Sequence, residues 1–569
     1  MATLTEARLR RWTLPPLPER MAARWSSWLL AIAGLGFGLP LLIGAVTGNL
    51  AIPHNDAWSY SRITRELWLT GHWTLLGWNR TTLIGQSVMI GPLGRWVAAQ
   101  QTAVAVLGLM VLYCVYELMS GSLDTRKALL GTALVAIWPG WANLTTSFMT
   151  DVPALAGMFG ALAVGRAALQ RDSRRLFALS LMIGLWGVSV REQALAAPAA
   201  VVVYGLLTPS ARERLRTKTL LVGAGIFLAA VIALIAWRGS VPDGDHPHVA
   251  LSLHHMAKLL WHYGPSSYFT LGAALSPAAL LTVRPQRWRA GSWLAAGLTV
   301  VLAAVVYHEH AGFTVGNYFI QTGSYHGVLP GEQTIVPNAV WHLIELLATV
   351  GAAAMSGSLV QRWRNVDPVL GLFTVLTAVA TLLVGIAGQL IYDRYWLAVA
   401  PGVLAILLSR AGDAGQRRST RWGRISAGIA AALATLIIAA VSAALAANSF
   451  AFDAARWHAG TRIAAAGVPA ARIDAGLEWL GWYSAHGKVS NRDPNWDLYG
   501  SAGWFSTTKK PCVVLRPQPL LPPAKLGHGW TLVHTFSYRK YLVFGSAQLS
   551  AYATHQPGCP AIASEARIS

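Results

Sequence analysis

The feature that most limits this chain is a succession of apolar runs separated by short clusters of Lys and Arg. A hydrocarbon layer of roughly 30 Å is crossed by about 20 apolar residues in helical form. No water reaches that layer, so each backbone polar group must find its partner within the segment. Runs of this kind, some of them short, cover 28–47, 97–119, 127–141, 152–169, 176–190, 194–207, 219–237, 265–283, 291–307, 339–357, 368–391, 395–409 and 425–446. They predict an all-α polytopic membrane protein with about thirteen transmembrane helices. Arg191-Glu192-Gln193 divides residues 176–207 in two, being too polar to sit unpaired in hydrocarbon. Composition agrees, since 12% of the 569 residues are charged against roughly 25% in soluble domains. The net charge of +21 would suit a nucleic acid, but the cations lie between apolar runs rather than on one patch. No nucleic-acid partner is expected.

Loop charge sets the direction. With residues 1–27 as a cytoplasmic tail, the inward segments hold 24 Lys and Arg, and the outward loops up to residue 446 hold eight. That is the bias expected when basic loops stay inside. The long first run behind a 27-residue basic tail argues against a cleaved signal. An odd number of crossings leaves residues 28–446 as the membrane domain, with a long first outer loop at 48–94, and places 447–569 outside. The tail changes character: 451–466 reads as a helix, and Cys512–Leu515 and Thr531–Phe544 read as strands. Arg492-Asp493-Pro494-Asn495 and Tyr538-Arg539-Lys540 read as turns. A small extracytoplasmic α/β domain is expected. Cys512 and Cys559 share it, and that compartment leaves both a disulfide and two free thiols open.

Polar chemistry gathers on the outward side. All sixteen His fall there, yet His308-Glu309-His310 and His246-Pro247-His248 lack the i, i+4 spacing that aims two ligands at one ion. A divalent metal stays open. Ten carboxylates precede the tail on this side, and three stand at helix mouths: Asp56, Asp151 and Asp393. A carboxylate at such depth needs a partner or a wet cavity. The plainer readings are helix capping for Asp56 and Asp151 and a structural ion pair for Asp393-Arg394. Arg191 and Arg394 sit at tight helix junctions, where a guanidinium can fork onto phosphate; the plainer reading is a salt bridge to Glu192, Asp151 or Asp393. Within the first outer loop, Trp58, Ile63, Leu67 and Leu69 recur at helical spacing, as in an amphipathic helix lying on a membrane with its Trp at the headgroups.

The order of these motifs carries a resemblance. His54-Asn55-Asp56-Ala57-Trp58-Ser59-Tyr60 follows the first run, and Gly71-His72-Trp73 comes later in the same loop. Phe148-Met149-Thr150-Asp151-Val152-Pro153, Arg191-Glu192-Gln193 and Tyr392-Asp393-Arg394-Tyr395 succeed them. This resembles the GT-C superfamily of polyprenyl-phosphate-sugar-dependent membrane glycosyltransferases, in particular the protein O-mannosyltransferase and lipid A aminoarabinose transferase group. The resemblance implies a sugar donor on a polyprenyl phosphate, a glycan, lipid or protein acceptor, and transfer with inversion on the extracytoplasmic face. It implies Asp56 as catalytic base with Asp151 orienting the acceptor or sharing that duty. Arg191, Glu192, Tyr392, Asp393, Arg394, Tyr60 and His54 would then bind substrate or phosphate. Members of that family often carry an acidic pair in the first loop; here Asn55-Asp56 supplies one carboxylate. The rival from another class is a transporter or lipid flippase for an envelope glycolipid. Its signs would be mid-span charges and repeated halves, and only Glu345 and Gln389 stand out as polar residues within the spans.

Overall fold

Hydrocarbon leaves the backbone no partner but itself, and most of this chain is accordingly helical. The computed structural model describes residues 27–79, 81–241, 252–309, 312–324, 336–409, 421–484, 511–517, 529–541 and 544–560. In chain order the first helices are α1 (Ser27–Val46), α2 (Ala57–Thr70), α3 (Val97–Ser120), α4 (Thr125–Ala136) and α5 (Asp151–Arg171). Next come α6 (Arg174–Val190), α7 (Glu192–Leu207), α8 (Thr217–Ser240), α9 (Leu253–Thr282) and α10 (Ala290–His308). The last are α11 (Asn338–Arg362), α12 (Pro368–Ile386), α13 (Ala400–Leu408), α14 (Arg421–Ala465) and α15 (Leu477–Tyr483).

Eight helices among the described residues are long and apolar enough to cross a membrane: α1, α3, α5, α8, α10, α11, α12 and α14. The expected thirteen is not reached. Helices α4 and α13 have 12 and 9 residues, well short of the ~20 a crossing needs. Helix α6 stops at 17, and α9 carries Pro265 and Pro277 in its interior. Short side chains cap several helices. The carboxylate of Asp124 accepts from Lys127 N before α4, Ser173 Oγ from Leu176 N before α6, and Asp367 from Val369 N and Leu370 N before α12. Each answers backbone donors that a first turn leaves unpaired.

At the centre stands α5, buried over most of its length. It packs against α6 through two glycines: a Cβ on Gly157 would lie 2.6 Å from the Cα of Gly187. Small residues let two backbones approach closely where lipid supplies no hydrophobic drive. The approach also sets the start of α5 beside the end of α6.

Helix α14 runs unbroken for 45 residues, about 68 Å at 1.5 Å per residue. The expected helix at 451–466 is therefore its second half, and the boundary drawn at 446/447 falls inside it. Beyond lies a four-stranded sheet in the order β1 (Ile473–Asp474), β2 (Val513–Pro517), β4 (Gly545–Thr554), β3 (Trp530–Lys540). Strands β1 and β2 are parallel, and the other two pairings antiparallel. Tyr538-Arg539-Lys540 is not the turn; these residues end β3, because Tyr538 pairs with Ala547 and Lys540 with Gly545. Residues 492–495 lie outside the described residues. A core of Ile463, Trp479, Ile473, Val513, Leu515 and Ala551 joins sheet, α14 and α15. Cys512 and Cys559 form a disulfide across the ends of β2 and β4, while Cys114 is free and buried.

Candidate active site

Asp56 ends the turn that leads into α2. Asn55 before it is left-handed, with φ 52°, a conformation Asn tolerates better than most residues. Its amide Nδ2 donates to Tyr318 OH at 2.9 Å, and its backbone N–H to Glu478 of α15 at 3.2 Å. Asp56 makes no side-chain capping bond, so capping does not account for it. Its Oδ1 accepts from the indole of Trp78 at 2.9 Å, and its Oδ2 faces Arg394 Nη2 at 3.4 Å.

Asp151 opens α5 and is buried; its Oδ1 accepts from Arg191 Nη1 at 2.8 Å and lies 3.5 Å from Arg394 Nε. The Gly157–Gly187 contact makes the first of these pairs possible. One guanidinium, Arg394, thus stands between two carboxylates that lie far apart in sequence. Asn317 Oδ1 takes its Nη1 at 2.8 Å. Aromatic rings cover the cations: Arg191 lies 4.5 Å from the Tyr395 ring centroid, and Arg394 4.7 Å from Tyr392 and 5.4 Å from Tyr395. Among the described residues, Asp151 Oδ2 and Arg394 Nε make no hydrogen bond although both are buried. Buried polar atoms in native proteins are nearly always paired, so these two mark a place where a bound group could supply the partner.

The remaining expected residues divide. Tyr60 is buried within the fields of Asp56, Arg191, Arg394 and Asp151; burial, then the Asp56 charge, raises its phenol well above its ordinary range. Tyr392 joins through its ring. Asp393 does not pair with Arg394 as a structural couple. Its Oδ2 instead accepts from the backbone N–H of Tyr318 at 2.8 Å and of Phe319 at 2.6 Å, and burial pushes its carboxyl up to about 7. His54 is fully buried, with Nε2 3.0 Å from Asn143 O and the ring 5.3 Å from Phe450; burial lowers it to about 4. Those contacts turn it toward the protein interior. Glu192 is raised by burial and senses Arg191 and Arg238, on the side where Arg238 donates to Asn79 O and Thr81 O.

Reading the sequence missed Trp78, Asn317, Tyr318 and Glu478 as supports. The weak signal was the Gly316-Asn317-Tyr318 stretch in a long polar loop; Asn317 has φ 124°, and non-glycine strain of that kind clusters at functional sites. Helix α2 also departs from expectation. Trp58 and Ile63 are wholly buried, and a Cβ on Gly481 would meet the Trp58 ring at 2.6 Å. The helix is clamped under α15 rather than lying on a membrane, and of the loop's Trp residues only Trp96 is largely exposed. His310, Asp243, Asp245, Glu332 and residues 246–248 lie outside the described residues. Among those described, no group of three His, Cys, Asp or Glu could hold a metal ion; Asp56 and Asp151 both face guanidinium instead.

Residues 94–237 match the family described as dolichyl-phosphate-mannose-protein mannosyltransferase. Similar solved structures include ArnT from Cupriavidus metallidurans bound to undecaprenyl phosphate, 14% identical over 93% of this chain and 98% of that one, with a TM-score of 0.40. An apo oligosaccharyltransferase from Archaeoglobus fulgidus is 15% identical over 94% of this chain and 75% of that one, with a TM-score of 0.44. Those superpositions are loose. No curated protein sequence matches. The matched segment holds α3 to α7 and most of α8, with Asp151 and Arg191 inside it. The likeness to that family is confined to this segment, and Asp56 and Arg394 lie outside it.

Proposed function

We propose that this enzyme moves a sugar from a polyprenyl-phosphate-linked donor to a hydroxyl of a glycan, lipid or protein acceptor on the extracytoplasmic face. Asp56 acts as the base. The observation that carries this reading is the position of Arg394 between Asp56 and Asp151. Two carboxylates and two guanidinium groups make a cluster that is neutral at rest. Arg191 is held tightly at 2.8 Å, whereas Arg394 contacts its carboxylates at 3.4 and 3.5 Å. Arg394 is therefore the cation with slack, and the one a phosphate can draw on.

A single displacement follows. The acceptor oxygen forms its bond to the anomeric carbon while the bond from that carbon to the phosphate oxygen breaks. The bonding pair leaves on the lipid phosphate, where Arg394 and Arg191 stabilise the added negative charge. Asp56 takes the hydroxyl proton, and attack from the face opposite the leaving group inverts the centre. Asp56 suits the part because its side chain is 21% exposed against 5% for Asp151. Asp151 orients both guanidinium groups. Tyr60, a neutral phenol, can donate to substrate oxygen, and Tyr392 walls the Arg394 cation.

The outward placement is supported by the loop-charge bias and by the disulfide, which belongs to an oxidising compartment. Asp56→Asn keeps the Trp78 and Arg394 neighbours but removes the base. With the full-length protein in vesicles and a polyprenyl-phosphate sugar as donor, transfer should fall by about 10²–10⁴-fold, with helix content and insertion unchanged. Undiminished transfer would take Asp56 out of the mechanism. Mass spectrometry of envelope glycans from a deletion strain would name the sugar and the acceptor.

A further inference from the structure

At the opposite end of α6 from Arg191 lies a second feature. A recess of about 550 Å³ opens between α6 and α8, lined by apolar side chains along its length and by Arg174, Arg216 and Lys218 at one end. Helix α6 has 17 residues, so this basic end is about 25 Å from the active-site cluster. The recess follows α6 from Arg174 to Leu185, roughly 17 Å at 1.5 Å per residue. That is about half the ~30 Å of hydrocarbon, the depth of one leaflet.

We propose that this recess binds an anionic phospholipid of the leaflet at the basic end. Three observations separate it from ordinary lipid-covered surface. First, the three cations are exposed and, among the described residues, pair with no carboxylate. Second, Arg216 is held at φ 63° between the Pro209–Leu215 helix and α8, a conformation that bulky residues avoid. Third, Gly223 seats a wall of the recess: a Cβ would meet the Phe177 ring at 2.7 Å and Leu181 at 3.1 Å, so a larger residue must displace side chains that line it. The apolar length matches an acyl chain and the cations match its phosphate. A polyprenyl donor fits poorly, because its phosphate is needed at the other end of α6 and its chain exceeds one leaflet.

Native mass spectrometry of the full-length protein in detergent tests this with phosphatidylglycerol, phosphatidylcholine of the same chains, and undecaprenyl phosphate. Phosphatidylglycerol should be retained at least about tenfold better than phosphatidylcholine, as three nearby cations would favour it. The combined change Arg174→Gln, Arg216→Gln and Lys218→Gln should abolish that preference, and Gly223→Trp should remove one bound lipid altogether. Equal retention of phosphatidylglycerol by the triple variant would overturn the proposal. So would displacement of phosphatidylglycerol by an equimolar amount of undecaprenyl phosphate. The triple variant alters exposed side chains only, so it remains informative if Gly223→Trp does not fold.

Discussion

Adjacent residues of opposite charge do unlike work at Asp393 and Arg394. The carboxylate turns to two backbone N–H groups and fixes the 316–319 loop, while the guanidinium turns to Asp56, Asp151 and Asn317. A Tyr-Asp-Arg-Tyr string cannot announce this, because neighbouring opposite charges read equally well as a pair. Arg394→Lys keeps one charge but loses the planar fork and the flat face that lies over Tyr392. Transfer should drop by about tenfold to a thousandfold, with the KM for donor rising more than that for acceptor. Steady-state kinetics with each substrate varied in turn will decide it. A rise confined to acceptor KM would remove Arg394 from the phosphate.

Between elements, the decisive contact is α15 on α2. Arg62 of α2 donates to Gly481 O and Ser484 O, Glu478 accepts from Asn55 N, and Gly481 gives the Trp58 ring its room. Glu478 is itself held by Arg456 of α14 at 3.0 Å. The C-terminal domain thereby steadies the turn that aims Asp56. Gly481→Val would force α15 away from Trp58, while the sheet and its disulfide lie elsewhere in the domain. Displacement of a catalytic group by about 1 Å can cost a hundredfold. Transfer should fall by about that factor while the purified variant keeps its disulfide and helix content; wild-type rates would show that α15 does not position the loop.

Taken whole, the molecule joins a membrane bundle to a four-stranded sheet by one helix, α14, twice as long as a crossing requires. Its first half packs on α9 and its second half on β3. Sidedness is a property of this whole assembly, and the disulfide reports on it. Alkylation of the unreduced, denatured protein isolated from cells should label Cys114 alone, with Cys512 and Cys559 becoming reactive only after reduction. Labelling of all three without reductant would put the tail in a reducing compartment and reverse the orientation.

The amino-acid order alone determined that the chain is helical and membrane-embedded, which end of each helix is basic, and that Asp56, Asp151, Arg191 and Arg394 share one side. Hydropathy and charge bias are local quantities summed along the chain, so they survive without knowledge of neighbours. Which partner each charge takes was decided only by the tertiary structure. The Gly157–Gly187 approach delivers Arg191 to Asp151, the 316–319 loop claims Asp393, and α15 turns an apparent surface helix into a buried clamp. The same holds for the span count: apolar segments became helices of 9 to 45 residues, because length is settled by capping, proline and packing as well as by apolarity.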